Sequence, residues 1–401
     1  MIYFKAALTA VSPLIIGSGA EDNSDKDVCL DADERPYIPA TALAGVCRHY
    51  FPQSPATDEI FGKQLLTKED KGVKSKIIFY DAVCEGDSPE VPPPAISLRD
   101  SVKLGEYRIA EDGAKFDYEI VEAGAKFVFR MEYDGAWEVI KKIVEGINSG
   151  DILLGAKTTR GFGRLKVDMD TAKILEIDLD KEIDKYINFK WADVTGEYNA
   201  LKPVPIARSA LYETLVLDFS VSSYLFIRNY ATLAVADNGK FVDAEQLTDN
   251  NGRPVISGAA WAGVFRHHFA RVLKKAGYAP NARDLENNLF GIVEEDGKKM
   301  RSRIIFSDSV IESATLRNRT RTAVDRFTGG AGDGLLFTTR PAYGGGGTLE
   351  IKLPKGVSNG ELIKSVINVC VEDINEGFLN IGGESSVGAG FLKVTKRGDW
   401  T

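Results

Sequence analysis

Cysteine is scarce in this chain, and the four present, Cys29, Cys47, Cys84 and Cys370, include no Cys-x-x-Cys pair. That excludes the usual spacing of a structural zinc site, and such widely separated thiols are no disulfide framework. They read as reduced, partly buried thiols. Histidine is scarcer still: only His49, His267 and His268 occur. None of them belongs to a His-Glu-x-x-His run, a Ser/His/Asp order or a cysteine–histidine cluster. Long apolar runs are missing too. The N-terminal FKAALTAVSPLIIGSGA is broken by Lys5 and Pro13 and falls short of the roughly 20 residues of a membrane span. It reads as a strand rather than a signal peptide, so a cytoplasmic protein without membrane contact is expected. Nor is there a basic excess. The net charge of −8 argues against a protein that coats itself in nucleic acid.

What the chain does contain is a repeat. RPYIPATALAGVCRHYF, from Arg35 to Phe51, recurs as RPVISGAAWAGVFRHHF, from Arg253 to Phe269, 218 residues later. IFG at 60–62 answers LFG at 289–291, and SKIIFYDAV at 75–83 answers SRIIFSDSV at 302–310. LLGAKTTRGFGRLKV, from Leu153, answers NIGGESSVGAGFLKV, from Asn380. The shared blocks keep their order, so the 401 residues divide into two copies of one domain, 1–197 and 198–401, the first ending in a connecting segment.

Each copy alternates its periodicities. IYFKAALTAV and LVLDFSVSSYLF read as strands, the stretches after Pro39 and Ser257 as helices, and KIIFYDAV and RIIFSDSV as strands again. AWEVIKKIVEGINSG and NGELIKSVINVCVEDINEG read as helices that stop at Gly150 and Gly377. Strand, helix, strands, helix, strand is the split βαβ arrangement of an α+β, ferredoxin-like fold.

Several motifs can carry chemistry. From Lys298 to Arg326 eight lysines and arginines face only Asp308, Glu312 and Asp325, a basic track on an acidic protein. Within it Arg317, Arg319 and Arg321 alternate as strand residues do, which puts three guanidinium groups on one face where phosphates can meet them. The following DRFTGGAGDG is a glycine-rich projection carrying Arg326 and one aromatic, Phe327, suited to stacking on a base. A solvated strand face is the bland alternative. The first copy's LRDSVKLGEYRIAEDGAKFDY keeps Arg99 and Arg108 but is less basic, so the copies are expected to bind RNA unequally.

Gly155, Gly161 and Gly163, and Gly382, Gly383, Gly388 and Gly390, form two late loops. Such loops let a backbone approach a phosphate, or simply turn the chain into its last strand. Gly161, Gly163, Gly388 and Gly390 are candidate RNA contacts, as are Arg48 and Arg266 in the repeated helix. At the offset of the shared Arg-Pro, Asp31 superposes on Asp249 and Asp25 on Asp243. A loop carboxylate beside bound RNA can hold Mg²⁺ or another divalent cation, or orient a 2′-hydroxyl; a solvated acidic loop is the other reading. His49 and His267 also recur and offer a general base, but their place in an Ala/Gly/Val packing block favours orientation of the helix.

These residues carry a resemblance. The two repeated runs, the RTRTAVDRFTGGAGDGLLF block with its R-x-x-V-D-R-x-T-G-x-A pattern at 321–331, and the terminal GAKTTRGFGRLKV and ESSVGAGFLKV loops resemble the RAMP superfamily of CRISPR-associated proteins. They are most similar to the backbone subunits of type III effector complexes, including fused, III-D-like ones. The resemblance implies two tandem modified ferredoxin-like, RRM-like domains with inserted hairpins, one of them projecting around Arg321 to Gly334. It also implies a guide (CRISPR) RNA, a complementary target RNA and other effector subunits as partners. A metal-assisted loop aspartate would cut the target; it falls on Asp25 and Asp243, with Asp22 or Asp27 as alternatives in the first copy. A non-catalytic subunit of the same complex and a stand-alone guide-processing ribonuclease using His49 or His267 are the alternatives. Ala40 in the first copy and Ser257-Gly258 in the second depart from the family's Pro-Gly helix start, and the first hairpin lacks the D-R-x-T-G pattern.

Overall fold

A computed structural model describes residues 1–19, 24–63, 72–84, 95–105, 110–197, 209–229, 242–278, 281–293 and 299–401. They form two compact units. Met1–Ser97, Glu119–Thr158 and Phe162–Leu211 make the first, and Leu98–Tyr118, Thr159–Gly161 and Tyr212–Thr401 the second.

In the first unit the strand Ile2–Ala10 is buried along nearly its whole length, because neighbours flank both of its edges. Lys126–Tyr133 runs antiparallel on one side, with Phe4 opposite Met131, and Ile77–Phe79 lies outside it. On the other side Leu165–Val167 and Lys173–Glu176 share the edge, with Leu8 opposite Val167 and Phe4 opposite Ile174. The order second, third, first, fourth strand is the ferredoxin-like order the pattern implies. The helices Ala40–Tyr50 and Glu138–Ser149 supply Leu43, Cys47, Ile140, Ile143 and Ile147 to a core with Phe4, Phe127 and Phe129. Tyr3, on the alternate side of its strand, stacks on Phe189 at 3.8 Å and meets Trp191 edge-on, in a smaller cluster with Ile177 and Val194.

The second unit repeats this plan. Tyr212–Val221 is central between Gly346–Pro354 and Leu392–Arg397, with Ile305–Phe306 outside. The helices Gly258–Lys275 and Gly360–Asn375 bury Trp261, Phe265, Phe269, Val366, Ile367 and Cys370 against Leu217, Phe219 and Ile351. Between the second and third core strands each repeat inserts a hairpin, Ile96–Leu104 with Ala110–Val121 and Arg319–Val324 with Ala331–Arg340.

Helix ends follow the glycines. Gly150 caps Glu138–Ser149 in the left-handed region at φ 72°, and Gly377, at φ 79°, comes one residue after the cap of Gly360–Asn375. Helix starts rely on an acid from the neighbouring strand segment: the Ala40 N–H donates to Asp81 Oδ1 and the Gly258 N–H to Asp308 Oδ1, each at 2.7 Å. All four cysteines are free, and burial pushes the Cys84 thiol up to about 11. Among the described residues no helix is long and apolar enough to cross a membrane.

Candidate nucleic-acid interface

The second hairpin is largely exposed among its described residues. Its strands pair Arg319 with Thr339 and Arg321 with Phe337, and the register shifts between Thr322 and Val324. The tip is a built turn. Asp325 accepts from the backbone N–H of Phe327 and Thr328 and from the Thr328 hydroxyl, at 2.7–3.0 Å. These bonds hold its carboxyl below the ordinary value, the Thr328 N–H first among them. The turn displays Phe327, 91% exposed, next to Arg326, with Val324, Leu335 and Leu336 also exposed on the strands below. A free aromatic at the end of a braced turn contributes nothing to a core. Its ring is open to solvent and available for stacking.

At the hairpin's base the arginines divide. Arg319 lies with its guanidinium carbon 4.3 Å over the Tyr224 ring, and Arg321 is ion-paired with Glu384. Glu384 also accepts from the Tyr224 hydroxyl at 3.1 Å. Arg317 precedes the strand, is exposed, and lies 6.0 Å from the Tyr343 ring. Tyr224 and Tyr343 are themselves neighbours at 5.7 Å. The alternation of Arg319 and Arg321 on one face is present, and the face is an arginine–tyrosine surface. The two tyrosines were not singled out from the sequence. Their only signal is an aromatic in YLF and AYGG next to glycine- or serine-rich bends, which core residues show equally well.

The late glycine loops are built alike. Gly155, Gly161 and Gly163 have φ of 85°, 94° and 85°, and Gly382, Gly388 and Gly390 of 90°, 96° and 78°. The Gly163 N–H donates to Pro13 O at 2.9 Å and the Gly390 N–H to Tyr224 O at 2.8 Å. A Cβ at Gly163 would lie 2.2 Å from Leu154 O, and one at Gly390 2.0 Å from Ile381 O. Close approach of backbone to backbone therefore accounts for these two glycines. Gly161 is buried, whereas Gly388 is exposed.

The repeated helix residues have intrachain roles. Arg48 is ion-paired with Asp58 and donates to Gly62 O; Arg266 pairs with Glu286 at 2.6 Å and donates to Asn287. Each guanidinium thereby ties its helix to the next one, Pro55–Phe61 or Ala282–Phe290. His49 and His267 are exposed, while His268 is buried with Nε2 2.5 Å from Asp373 Oδ2.

The loop aspartates also separate. Asp31 Oδ1 accepts from the Asp33 and Arg35 N–H groups, and Asp249 Oδ1 from those of Asn251 and Arg253. Their recurrence is thus explained by a repeated turn. Asp27 is buried and accepts from Ser24 N and Oγ at 2.9 Å each. Asp25 is exposed. Asp243 is exposed at the base of the second hairpin: its N–H donates to Thr338 O at 2.8 Å and its Oδ2 accepts from Thr338 N at 2.7 Å. Asp22 lies outside the described residues. No three His, Cys, Asp or Glu side chains converge as a metal site among the described residues.

No curated protein matches the chain. The family profile of the RAMP superfamily matches residues 7–166 and 218–393, one match on each repeat and together most of the sequence. Two ferredoxin-like repeats, a basic hairpin with a displayed aromatic, and this twofold match agree: the chain belongs to the RAMP superfamily, a group of CRISPR-associated, RNA-binding proteins, as a tandem of two such domains.

Proposed function

We propose that this chain is a guide-RNA-binding backbone subunit of a type III CRISPR effector complex, and that exposed loop aspartates let it cut complementary target RNA. The observation that carries the reading is the second hairpin, which sets Arg317, Arg319, Tyr224 and Tyr343 at its base and Phe327 at its tip. Arginine and aromatic side chains in alternation hold a strand's phosphates and stack on its bases without reading sequence. That suits a subunit whose specificity is delegated to a guide. The chain's acidic balance makes this basic surface local rather than general.

For cleavage, Asp25 and Asp243 are the residues we assign, one per repeat. An exposed carboxylate suits Mg²⁺ shared with the phosphate oxygens of a substrate, since that ion commonly keeps one or two protein carboxylates and takes its remaining ligands from substrate and water. When bound, the cation would supply charge neutralisation at the scissile phosphate. The 2′-oxygen would form a bond to phosphorus as its proton leaves, and the bond to the 5′-oxygen would break, giving a 2′,3′-cyclic phosphate and a 5′-hydroxyl. Asp243 is held at the hairpin's base by Thr338, through both its N–H and its carboxylate.

The second reading, a structural subunit without catalysis, is favoured by the bonds that already engage Asp243 with Thr338 through both its N–H and its carboxylate. One experiment separates the two. The complex is reconstituted with guide RNA and given labelled complementary RNA and Mg²⁺, with wild-type chain, Asp25→Ala, Asp243→Ala or both. Loss of one cleavage product per substitution, with assembly intact, is expected. Unchanged products from the double variant would leave the chain as scaffold.

A further inference from the structure

In the first unit, one face of the sheet is covered by a strap that is itself mostly in solvent. Ile177 is tied to Met1 by reciprocal backbone bonds of 2.9 Å. Residues 178–195 then cross the face turned away from the helices, and the chain rejoins the sheet edge where Gly196 pairs with Ile174. Within the strap Val194 is buried, Phe189 and Trp191 are half-buried, and nearly all the rest is exposed. Its hydrogen bonds close on itself: the Lys181 and Glu182 N–H groups donate to Asp178 O, and the Lys190 N–H to Asp193 Oδ2. The sheet reaches it through Lys5 Nζ, which donates to Trp191 O at 3.1 Å. The remaining hold is aromatic. Phe189 lies on Tyr3 at 3.8 Å with 18° between the planes, and Trp191 meets Tyr3 and Tyr80 edge-on at 5.9 and 5.2 Å. A segment with few buried contacts and self-contained bonds opens at low cost while the sheet beneath stays intact.

The residues underneath are not those of a core. Lys5 lies opposite Arg130 in the strand register and Tyr3 opposite Glu132, while the Tyr80 hydroxyl donates to Glu132 Oε2 at 3.0 Å. Arg130 lies over the Trp191 ring at 5.5 Å, and its Nε is buried with no acceptor among the described residues. Leaving such a donor unmet costs stability, so the closed strap omits a bond that a phosphate oxygen would make. The second repeat shows that the fold does not require this set of side chains. Leu8 faces Val167 and Phe219 faces Val394, each in an LKV strand, which aligns Tyr3 with Thr214 and Lys5 with Val216. Phe4 faces Met131 and Leu215 faces Ile351, which aligns Arg130 with Glu350, and Tyr80 stands where Ser307 does. None of those four carries a ring or a positive charge.

We propose that Tyr3, Lys5, Tyr80 and Arg130 form a second binding site, for the bases and phosphates of unpaired RNA, and that residues 178–195 are its displaceable cover. Phe189 occupies the face of Tyr3 as a stacked base would, and Trp191 fills the space between Tyr80 and Arg130. Two rings and two cations on neighbouring strands hold a single strand by stacking and phosphate contacts. Closure weakens binding at rest, because RNA and strap compete for the same rings. The site lies on the other repeat from the Phe327 hairpin, and it rests on the RNA-binding reading only for the class of ligand.

The test uses the full-length chain carrying Phe327→Ala, so that the hairpin contributes little, and a fluorescein-labelled oligouridine of about 12 nucleotides. Phe189→Ala with Trp191→Ala is expected to free the strap and raise affinity about tenfold, with Ile2–Ala10 still protected in hydrogen exchange. Adding Tyr80→Ser and Arg130→Gln is expected to abolish that gain. With the strap intact, saturating oligouridine is expected to speed amide exchange across 183–194 and leave Ile2–Ala10 unchanged. Unchanged affinity in the freed variant with a protected central strand overturns the proposal, as does a gain that survives Tyr80→Ser with Arg130→Gln. If the freed variant loses protection of the central strand, the intact chain decides, and strap exchange that RNA does not speed overturns the proposal. Failure of the hairpin reading shows separately, as Phe327→Ala without effect on affinity.

Discussion

Asp81 and Asp308 do the same local work in the two repeats and have different surroundings. Each accepts the first N–H of a helix at 2.7 Å, but only the second oxygen of Asp308 is met by an arginine, in a place sealed from water. Gly161 and Gly388 differ in the same manner, with matching φ but one packed on an acid and one open. Local conformation thus follows local sequence faithfully in both repeats, while burial follows from which segments are brought together. Two copies of one domain in one chain are therefore not equivalent. The hairpins add to the asymmetry: the first places Arg99 in a buried pair, while the second displays Phe327 and leaves Arg317 exposed.

Three substitution pairs break or sharpen this comparison. Arg99→Ala removes one partner of a buried pair and leaves the Asp308 charge without its counter-ion, so a loss of about 3–5 kcal/mol in the second unit is expected. Arg317→Ala, at the corresponding exposed place, is expected to cost less than about 0.5 kcal/mol in the isolated chain. Chemical denaturation of both variants checks the contrast, and equal losses would show that the two arginines are structurally equivalent after all. A smaller difference is expected at the glycines. Gly161→Ala and Gly388→Ala share the strain of a left-handed residue, about 1 kcal/mol, but only Gly161→Ala drives a methyl group into Asp308, adding about 1–3 kcal/mol of overpacking. Thermal melts that rank Gly388→Ala as the more damaging would contradict the packing described here. The smallest effect concerns binding alone: Phe327→Ala is expected to leave the melting temperature unchanged and to weaken single-stranded RNA binding by about 1 kcal/mol, roughly fivefold. Phe116→Ala, on a strand of the first hairpin, is the matched control in a filter-binding assay and should change affinity less.

Much of the site was legible as residue type and position. Arg319 and Arg321 alternate onto one face as a strand period requires, and Phe327 stands at a turn that its Asp-x-x-Thr-Gly surroundings encode. Other candidates were legible only as recurring residues. Arg48 and Arg266 recur because each ties two helices together, and Asp31 and Asp249 because each closes a turn. Repetition of a residue records a repeated environment, whether that environment is a scaffold or a site. Tyr224 and Tyr343 went unseen, because a strand-end tyrosine looks the same in sequence whether its ring faces a core or an arginine.

By itself the sequence determined the duplication, the order of strands and helices in each repeat, and the glycine-rich turns. These depend on residues close along the chain or on a period that side-chain geometry imposes. The tertiary structure alone decided that Arg99 rather than Arg317 is buried, that Asp308 is answered while Asp81 is not, and that Tyr224 lies under Arg319. Those outcomes depend on contacts between segments far apart in sequence, whose desolvation and charge pairing no local pattern records.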